Sequence, residues 1–210
     1  MRLYIIRHGE TDWNKLRRLQ GQVDIPLNEF GRHLAKETAL ALRDIPFDFA
    51  VTSPLSRAKE TAYLVLGERD IPVLEDARLK EMGFGEYEGL CCREEGWNIP
   101  DPDFRNFFDA PENYQPPKNG ESFMQLSKRL DSFLTELYQN PDCQNKTILL
   151  STHGAALCGI LRLIKGNPIS RFWDGGVHRN CAVTIVDVER GKPRIVKEAV
   201  TFYQDTVENW

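Results

Sequence analysis

Long apolar runs are missing from this sequence of 210 residues. No stretch approaches the ~18 apolar residues that a helix needs to cross a membrane, so no membrane partner is expected. The opening residues 1–7 hold only a short apolar run, ended by Arg7 and His8. That is too short for the core of a secretory signal, and the expected compartment is the cytoplasm. A basic excess is missing too. The formal net charge of -4 argues against a nucleic-acid binder but allows a small anion in a locally positive pocket. The cysteines, Cys91, Cys92, Cys143, Cys158 and Cys181, are odd in number and contain no C-x-x-C pair. They read as reduced thiols rather than a disulfide frame or a zinc site. Cys91 and Cys92 are adjacent, and ordinary packing is preferred for them over redox chemistry. Internal repeats and low-complexity tracts are also absent. With 41% hydrophobic and 28% charged residues, the chain suits one folded domain over residues 1–210.

What is present is an alternation of short apolar runs with helical periodicities. Residues 3–6, 47–52, 71–74 and 147–150 read as strands. Residues 29–43, 121–138 and 155–164 read as helices, the second with Phe123, Leu126, Leu130, Phe133, Leu134 and Leu137 on one side. A further helix is expected to be capped by Ser53, to open with Pro54 and to close at Gly67. Residues 182–188 and 194–200 read as a final antiparallel strand pair. This pattern predicts an α/β fold of three layers, α/β/α, with a mostly parallel sheet and helices on both faces. Residues 83–120 break the pattern. They contain Pro100, Pro102, Pro111, Pro116 and Pro117 among Tyr87, Trp97, Phe104, Phe107, Phe108 and Tyr114, and read as an aromatic-rich lid or insertion.

Chemistry concentrates at three strand ends, where open α/β sheets bind ligands. Arg7-His8-Gly9 follows the first strand, and Ser151-Thr152-His153-Gly154 repeats the strand-His-Gly order before a helix. Gly154 would place its amide at a helix N-terminus, suited to an anion. Arg57 falls in the first turn of the helix after the second strand. Two histidines, two arginines and helix N-termini make an anion site, and phosphate is the natural ligand for a guanidinium fork. His33 and His178 lack this context and read as structural. Two histidines with Glu81 could instead ligate zinc, but the neighbouring Arg7 would repel a dication.

The run Ile5-Ile6-Arg7-His8-Gly9-Glu10-Thr11 with Asn14 resembles the defining motif of the histidine phosphatase superfamily, phosphoglycerate mutase-like branch. The resemblance continues through Gln20-Gly21, Asp24, Gly31, Ser53-Pro54-Leu55-Ser56-Arg57-Ala58 and Thr61. It then runs on through Leu79-Lys80-Glu81, Gly120-Glu121-Ser122, Thr152-His153-Gly154 and Asn180, in family order over nearly the whole chain. It implies that His8 attacks phosphorus and becomes a phosphohistidine. Arg7, Arg57 and His153 would hold the equatorial oxygens, helped by Asn14 and the Gly154 amide. Glu81 would protonate the leaving oxygen, and Gln20 and Gly21 would line the substrate side. No cofactor or metal is implied. Arginines beside His8 would keep its ring neutral and nucleophilic, while a bound phosphate would keep Glu81 protonated.

Within such a family the acceptor is water in a phosphatase and a second substrate hydroxyl in a mutase. The segment after Glu81 is poor in basic residues and rich in acidic and aromatic ones, which favours hydrolysis of a small phosphorylated metabolite. A phosphoglycerate mutase is the alternative within the family. A phosphate-binding module without catalysis is the alternative outside it. A homodimer is left open.

Overall fold

The computed structural model describes residues 1–206. Among them one sheet is built from β1 (Arg2–Arg7), β2 (Phe49–Thr52), β3 (Val73–Glu75), β4 (Thr147–Thr152), β5 (Val183–Glu189) and β6 (Lys192–Val200). The order across the sheet is β3-β2-β4-β1-β5-β6. The β3-β2-β4-β1 part is parallel, and β5 and β6 continue it antiparallel. The mostly parallel sheet read from the alternation is therefore present. Arg190 and Gly191 both have positive φ, 52° and 74°, and make a two-residue turn between β5 and β6. That turn lets the pair run closer to its tip than the sequence suggested, with Lys192 and Pro193 inside β6. Pro193 is tolerated because β6 is an outer edge.

Helices α2 (Glu29–Ala41), α3 (Ser56–Leu66), α5 (Phe123–Gln139) and α6 (Gly154–Lys165) cover the sheet, with two single-turn helices, α1 (Asp12–Lys15) and α4 (Asn106–Asp109), in connections. Strand residues alternate between the two faces. Leu3, Ile5, Ile148 and Leu150 share one core with Leu126, Leu130 and Leu134 of α5 and Leu157, Ile160 and Leu161 of α6. Tyr4, Ile6, Ala50 and Leu149 share the other with Leu34 and Ala35 of α2 and Ala62 and Val65 of α3. Each such Leu or Ile contributes about 1.5–3 kcal/mol on full burial, so both faces are committed and three layers result. α5 begins with a capping box between Ser122 and Gln125 and buries the six apolar residues its periodicity marked.

α3 departs from expectation. It begins at Ser56 with Leu55 at the cap, and no side chain caps it. Ser53 lies three residues before the helix; its hydroxyl accepts from the Leu55 amide at 3.3 Å and sits 2.8 Å from His153 Nε2 across the sheet end.

Residues 83–120 form a run of short 3₁₀ turns with α4 and little regular structure. Their ends meet: Phe84 bridges Gly120, and the Glu121 amide donates to the Gly83 carbonyl at 2.8 Å. The aromatic residues pack on one another and on the body. Phe107 stacks on Phe123 of α5 at 5.3 Å between ring centroids and meets Trp173 edge-on at 5.0 Å.

Candidate active site

The sheet order sets β4 between β1 and β2, so three carboxyl ends lie side by side. Arg7 is in register with Thr152, and Thr52 with Ser151. The next residue on each strand is therefore His8, His153 or Ser53. His8 and His153 lie 5.2 Å apart between ring centroids. The repeated strand-His-Gly order in the sequence is thus a repeated position in space.

His8 is buried, and its backbone amide donates to the Thr152 carbonyl at 2.9 Å. Its Nδ1 lies 2.6 Å from the Gly9 carbonyl oxygen. A carbonyl only accepts, so Nδ1 carries the proton and Nε2 keeps its lone pair. Burial pushes the His8 pKa well below its ordinary value, and the Arg57 and Arg7 charges push it further. The ring is neutral, with its free nitrogen defined by one hydrogen bond. The loop carrying it is locked by close backbone contact. A Cβ on Gly9 would come within 2.6 Å of the Gly31 carbonyl oxygen, and one on Gly31 within 2.2 Å of the Glu10 oxygen. The Gly9 amide also donates to Thr61 Oγ1 on α3 at 3.0 Å.

Arg7 and Arg57 are both buried, and desolvation lowers each pKa to about 10. Arg7 Nη1 donates to the His178 carbonyl. Arg57 donates from Nη1 to Val23 and from Nη2 to Gly21, both at 2.8 Å, while its Nε has no partner among the described residues. Asn14 accepts at Oδ1 from the Thr11 amide and from the Asn180 side chain, at 3.0 and 3.4 Å. Its Nδ2 donor remains for the cavity that Asn14 lines. The Asn180 side chain also donates to the His8 carbonyl at 2.9 Å.

Glu81 is half-buried at the start of α6. Its carboxylate accepts from the amides of Ala155 at 3.1 Å, Ala156 at 2.9 Å and Met82 at 2.9 Å. Gly154, the first residue of α6, lies between Glu81 and Arg7. A Cβ on it would sit 3.5 Å from Glu81 Oε2 and 3.7 Å from Arg7 Nε.

One cavity gathers Arg7, His8, Asn14, Gln20, Gly21, Arg57, Glu81 and Gly154 on its walls. Of the residues marked from sequence, only His153 is not a wall residue. It is fully buried behind the wall, its Nε2 beside Ser53 and its Nδ1 without a partner among the described residues. Burial and Arg57 lower its pKa well below the ordinary value. His33 and His178 line no part of this cavity. His33 sits at the surface 3.2 Å from Asp205, and His178 is buried with its carbonyl on Arg7. No group of three His, Cys, Asp or Glu among the described residues is arranged to hold a metal ion.

Two features escaped the sequence reading. The local sequence marks Ser53 as a helix cap, whereas it is the first residue after β2, level with Thr152, and its hydroxyl reaches His153. The rest of the lining is apolar and comes from distant segments: Leu19, Phe84, Phe107, Phe108, Trp173 and Val177. Only the aromatic excess of residues 83–120 hinted at it.

The family model of the histidine phosphatase superfamily (branch 1) matches residues 3–201. The chain belongs to that superfamily. It is 37% identical over 162 residues to the uncharacterized phosphatase PhoE of Bacillus subtilis (strain 168), covering 77% of this chain and 76% of that protein. It is 31% identical over 195 residues to the probable phosphoglycerate mutase GpmB of Enterobacter sp. (strain 638), covering 90% and 86%. The solved structure of Bacillus stearothermophilus YhfR superposes with a TM-score of 0.88 at 33% identity, covering 96% of this chain and 98% of that one. The phosphatase fold and the phosphoglycerate mutase-like resemblance read from the motifs both stand.

Proposed function

We propose that this histidine phosphatase hydrolyses a small phosphomonoester, with His8 as nucleophile and Glu81 as proton carrier. The observation that carries the reading is the 2.6 Å contact of His8 Nδ1 with the Gly9 carbonyl, which leaves Nε2 unprotonated inside a cationic cavity. In the first step a bond forms between Nε2 and phosphorus while the ester P–O bond breaks. Glu81 gives its proton to the departing oxygen. In the second step water attacks phosphorus, its proton passes to Glu81, and the P–N bond breaks to release phosphate. Splitting the transfer makes each displacement easier. Arg7, Arg57, Asn14 Nδ2 and the Gly154 amide are the donors for the transferring oxygens. His153 does not reach those oxygens; it packs behind His8, 5.2 Å between ring centroids, with its Nε2 beside Ser53. Gln20 and Gly21 stand on the substrate side.

The wall composition favours water as acceptor over a second phosphorylated hydroxyl. Among the described residues, the one cation lining the cavity beyond Arg7 and Arg57 is Arg18, which donates to the Gly89 carbonyl at 3.0 Å. A bisphosphorylated carboxylate would need more positive charge than that. Four aromatic rings in the same lining, Phe84, Phe107, Phe108 and Trp173, suit an apolar or flat leaving group. Residues 83–120 act as the lid that supplies Phe84, Phe107 and Phe108 to this wall. The protein's setting is the cytoplasm, in keeping with its five free thiols.

Purified protein assayed with chelator present should hydrolyse aryl phosphates, and His8→Ala should lose that turnover. Acid-labile labelling should appear on the wild type alone. Activity that survives His8→Ala would sink the assignment. Rapid conversion of 3-phosphoglycerate to 2-phosphoglycerate in the presence of 2,3-bisphosphoglycerate would make the protein a mutase instead.

A further inference from the structure

We infer that the Arg129–Glu121 ion pair is the positioning device that holds Glu81 for proton transfer. The inference rests on the proposed role of Glu81. Arg129, on α5, uses all five guanidinium donors. Nε and Nη2 grip the two oxygens of Glu121 at 2.7 and 2.8 Å. The second Nη2 donor reaches the Glu81 carbonyl at 3.0 Å, and Nη1 serves the Lys80 carbonyl at 2.7 Å and the Arg78 carbonyl. The pair is sheltered, with side-chain exposures of 18% and 15%.

These bonds fall on backbone that no regular element holds. Residues 80–84 lie in neither strand nor helix, so no ladder fixes the carbonyl of Glu81. Arg129 and the Gln22 side chain, at 3.2 Å, are its hydrogen-bond donors. At its other end the same residue is held by the amides of α6. The catalytic carboxylate is thus clamped between α5 through its backbone and α6 through its oxygens. Glu121 also ties in the neck of the 83–120 segment. Its Oε2 accepts from the Gly83 amide at 3.3 Å, and its own amide donates to the Gly83 carbonyl at 2.8 Å. One ion pair therefore sets both the proton carrier and the base of the aromatic wall. A lysine at 129 would keep the charge but could not reproduce the planar fork.

A purely structural pair and a positioning pair differ in one readout. The first step needs a proton from Glu81 when the leaving oxygen is an alkoxide, and little when it is a nitrophenolate. General acid help is worth roughly 10²–10⁴-fold where it operates. The test compares kcat/KM for an alkyl phosphate and for p-nitrophenyl phosphate in wild type, Arg129→Lys, Glu121→Gln and Glu81→Gln. Arg129→Lys should lose tenfold or more on the alkyl ester and under threefold on the aryl ester. Glu121→Gln should lose in the same selective direction, and it keeps the test alive if Arg129→Lys does not fold. Equal losses on both esters in these variants, alongside a selective Glu81→Gln, would overturn the inference. An unselective Glu81→Gln would instead overturn the role given to Glu81.

Discussion

Acid should unfold this protein early, and the two buried active-site histidines are the reason. His8 and His153 are 3% and 0% exposed. Burial is the main cause that pushes both pKa values well below the ordinary one, and Arg57 repels the proton at each. An unfolded chain protonates histidine near pH 6.5, whereas the folded rings stay neutral to much lower pH. Between those limits the unfolded state binds more protons, so stability falls as pH falls. Each ring contributes a slope of about 1.4 kcal/mol per pH unit, and the two together about 2.7. The slope starts near pH 6.5 and persists until the folded pKa values are reached. Within that window each full pH unit costs about 2.7 kcal/mol for the two rings, a large share of the ~5–15 kcal/mol that folded domains possess. His178, also lowered by burial, adds in the same direction, opposed by the Glu198 charge. Asp48, Asp76 and Asp187 have pKa values lowered from 3.8, so their losses begin only below about pH 4. Urea unfolding at pH 7.0, 6.0, 5.5 and 5.0 would measure the slope for wild type, His8→Gln and His153→Gln. Each substitution should reduce it by about 1.4 kcal/mol per pH unit. Wild-type stability that stays level from pH 7 to 5, or variants parallel to wild type, would refute the reasoning.

Gly31→Ala tests the contact beneath the His8 loop. Alanine would normally favour a helix by about 0.8–1 kcal/mol, but this Cβ would meet backbone oxygen at 2.2 Å. We expect lower stability and reduced turnover, read by urea unfolding and phosphatase assay, and a stabilised, fully active variant would contradict the packing. Phosphate should stabilise the wild type through Arg57, whose buried guanidinium bonds only to carbonyls. At 100 times the dissociation constant the gain is about 2.7 kcal/mol, measured as a rise in unfolding midpoint that Arg57→Met should abolish.

The sheet and its helices were legible because both faces are buried and the apolar period is therefore strong. Six apolar residues at helical spacing mark the buried stripe of α5 in the sequence itself. Arg7, His8, Arg57 and His153 were legible for a different reason: parallel strands deliver their next residues to one crevice, so a motif repeated after two strands meets itself in space. Ser53 was misread because serine before proline carries a local signal for a helix cap. The hydroxyl does accept from the Leu55 amide, but the helix starts only at Ser56, and its other partner, His153, is 100 positions away. The aromatic wall was illegible in detail, since Phe84, Phe107, Phe108 and Trp173 are brought together by irregular turns without a period. The Arg129 clamp could not be seen at all: its carbonyl acceptors belong to backbone, and any sequence supplies carbonyls.

Where the α6 terminus spends its amides explains how one small site handles two charges. Helix N-termini favour anions, and the sequence suggested that this one faces phosphate. The structure divides it. The Ala155 and Ala156 amides go to the Glu81 carboxylate, while Gly154 faces the cavity. In the proposed reaction the transferred phosphoryl group would be met chiefly by Arg7, Arg57 and Asn14, which come from β1, α3 and α1 rather than from α6. Glu81 is held at the edge of that set, with Gly154 as the spacer between its oxygen and Arg7. Any side chain at 154 would crowd Val177, whose Cγ1 lies 3.1 Å from the Cβ position, and would wedge between the proton carrier and the phosphate donors. The glycine after the second histidine thus keeps acid and anion site within one proton transfer of each other.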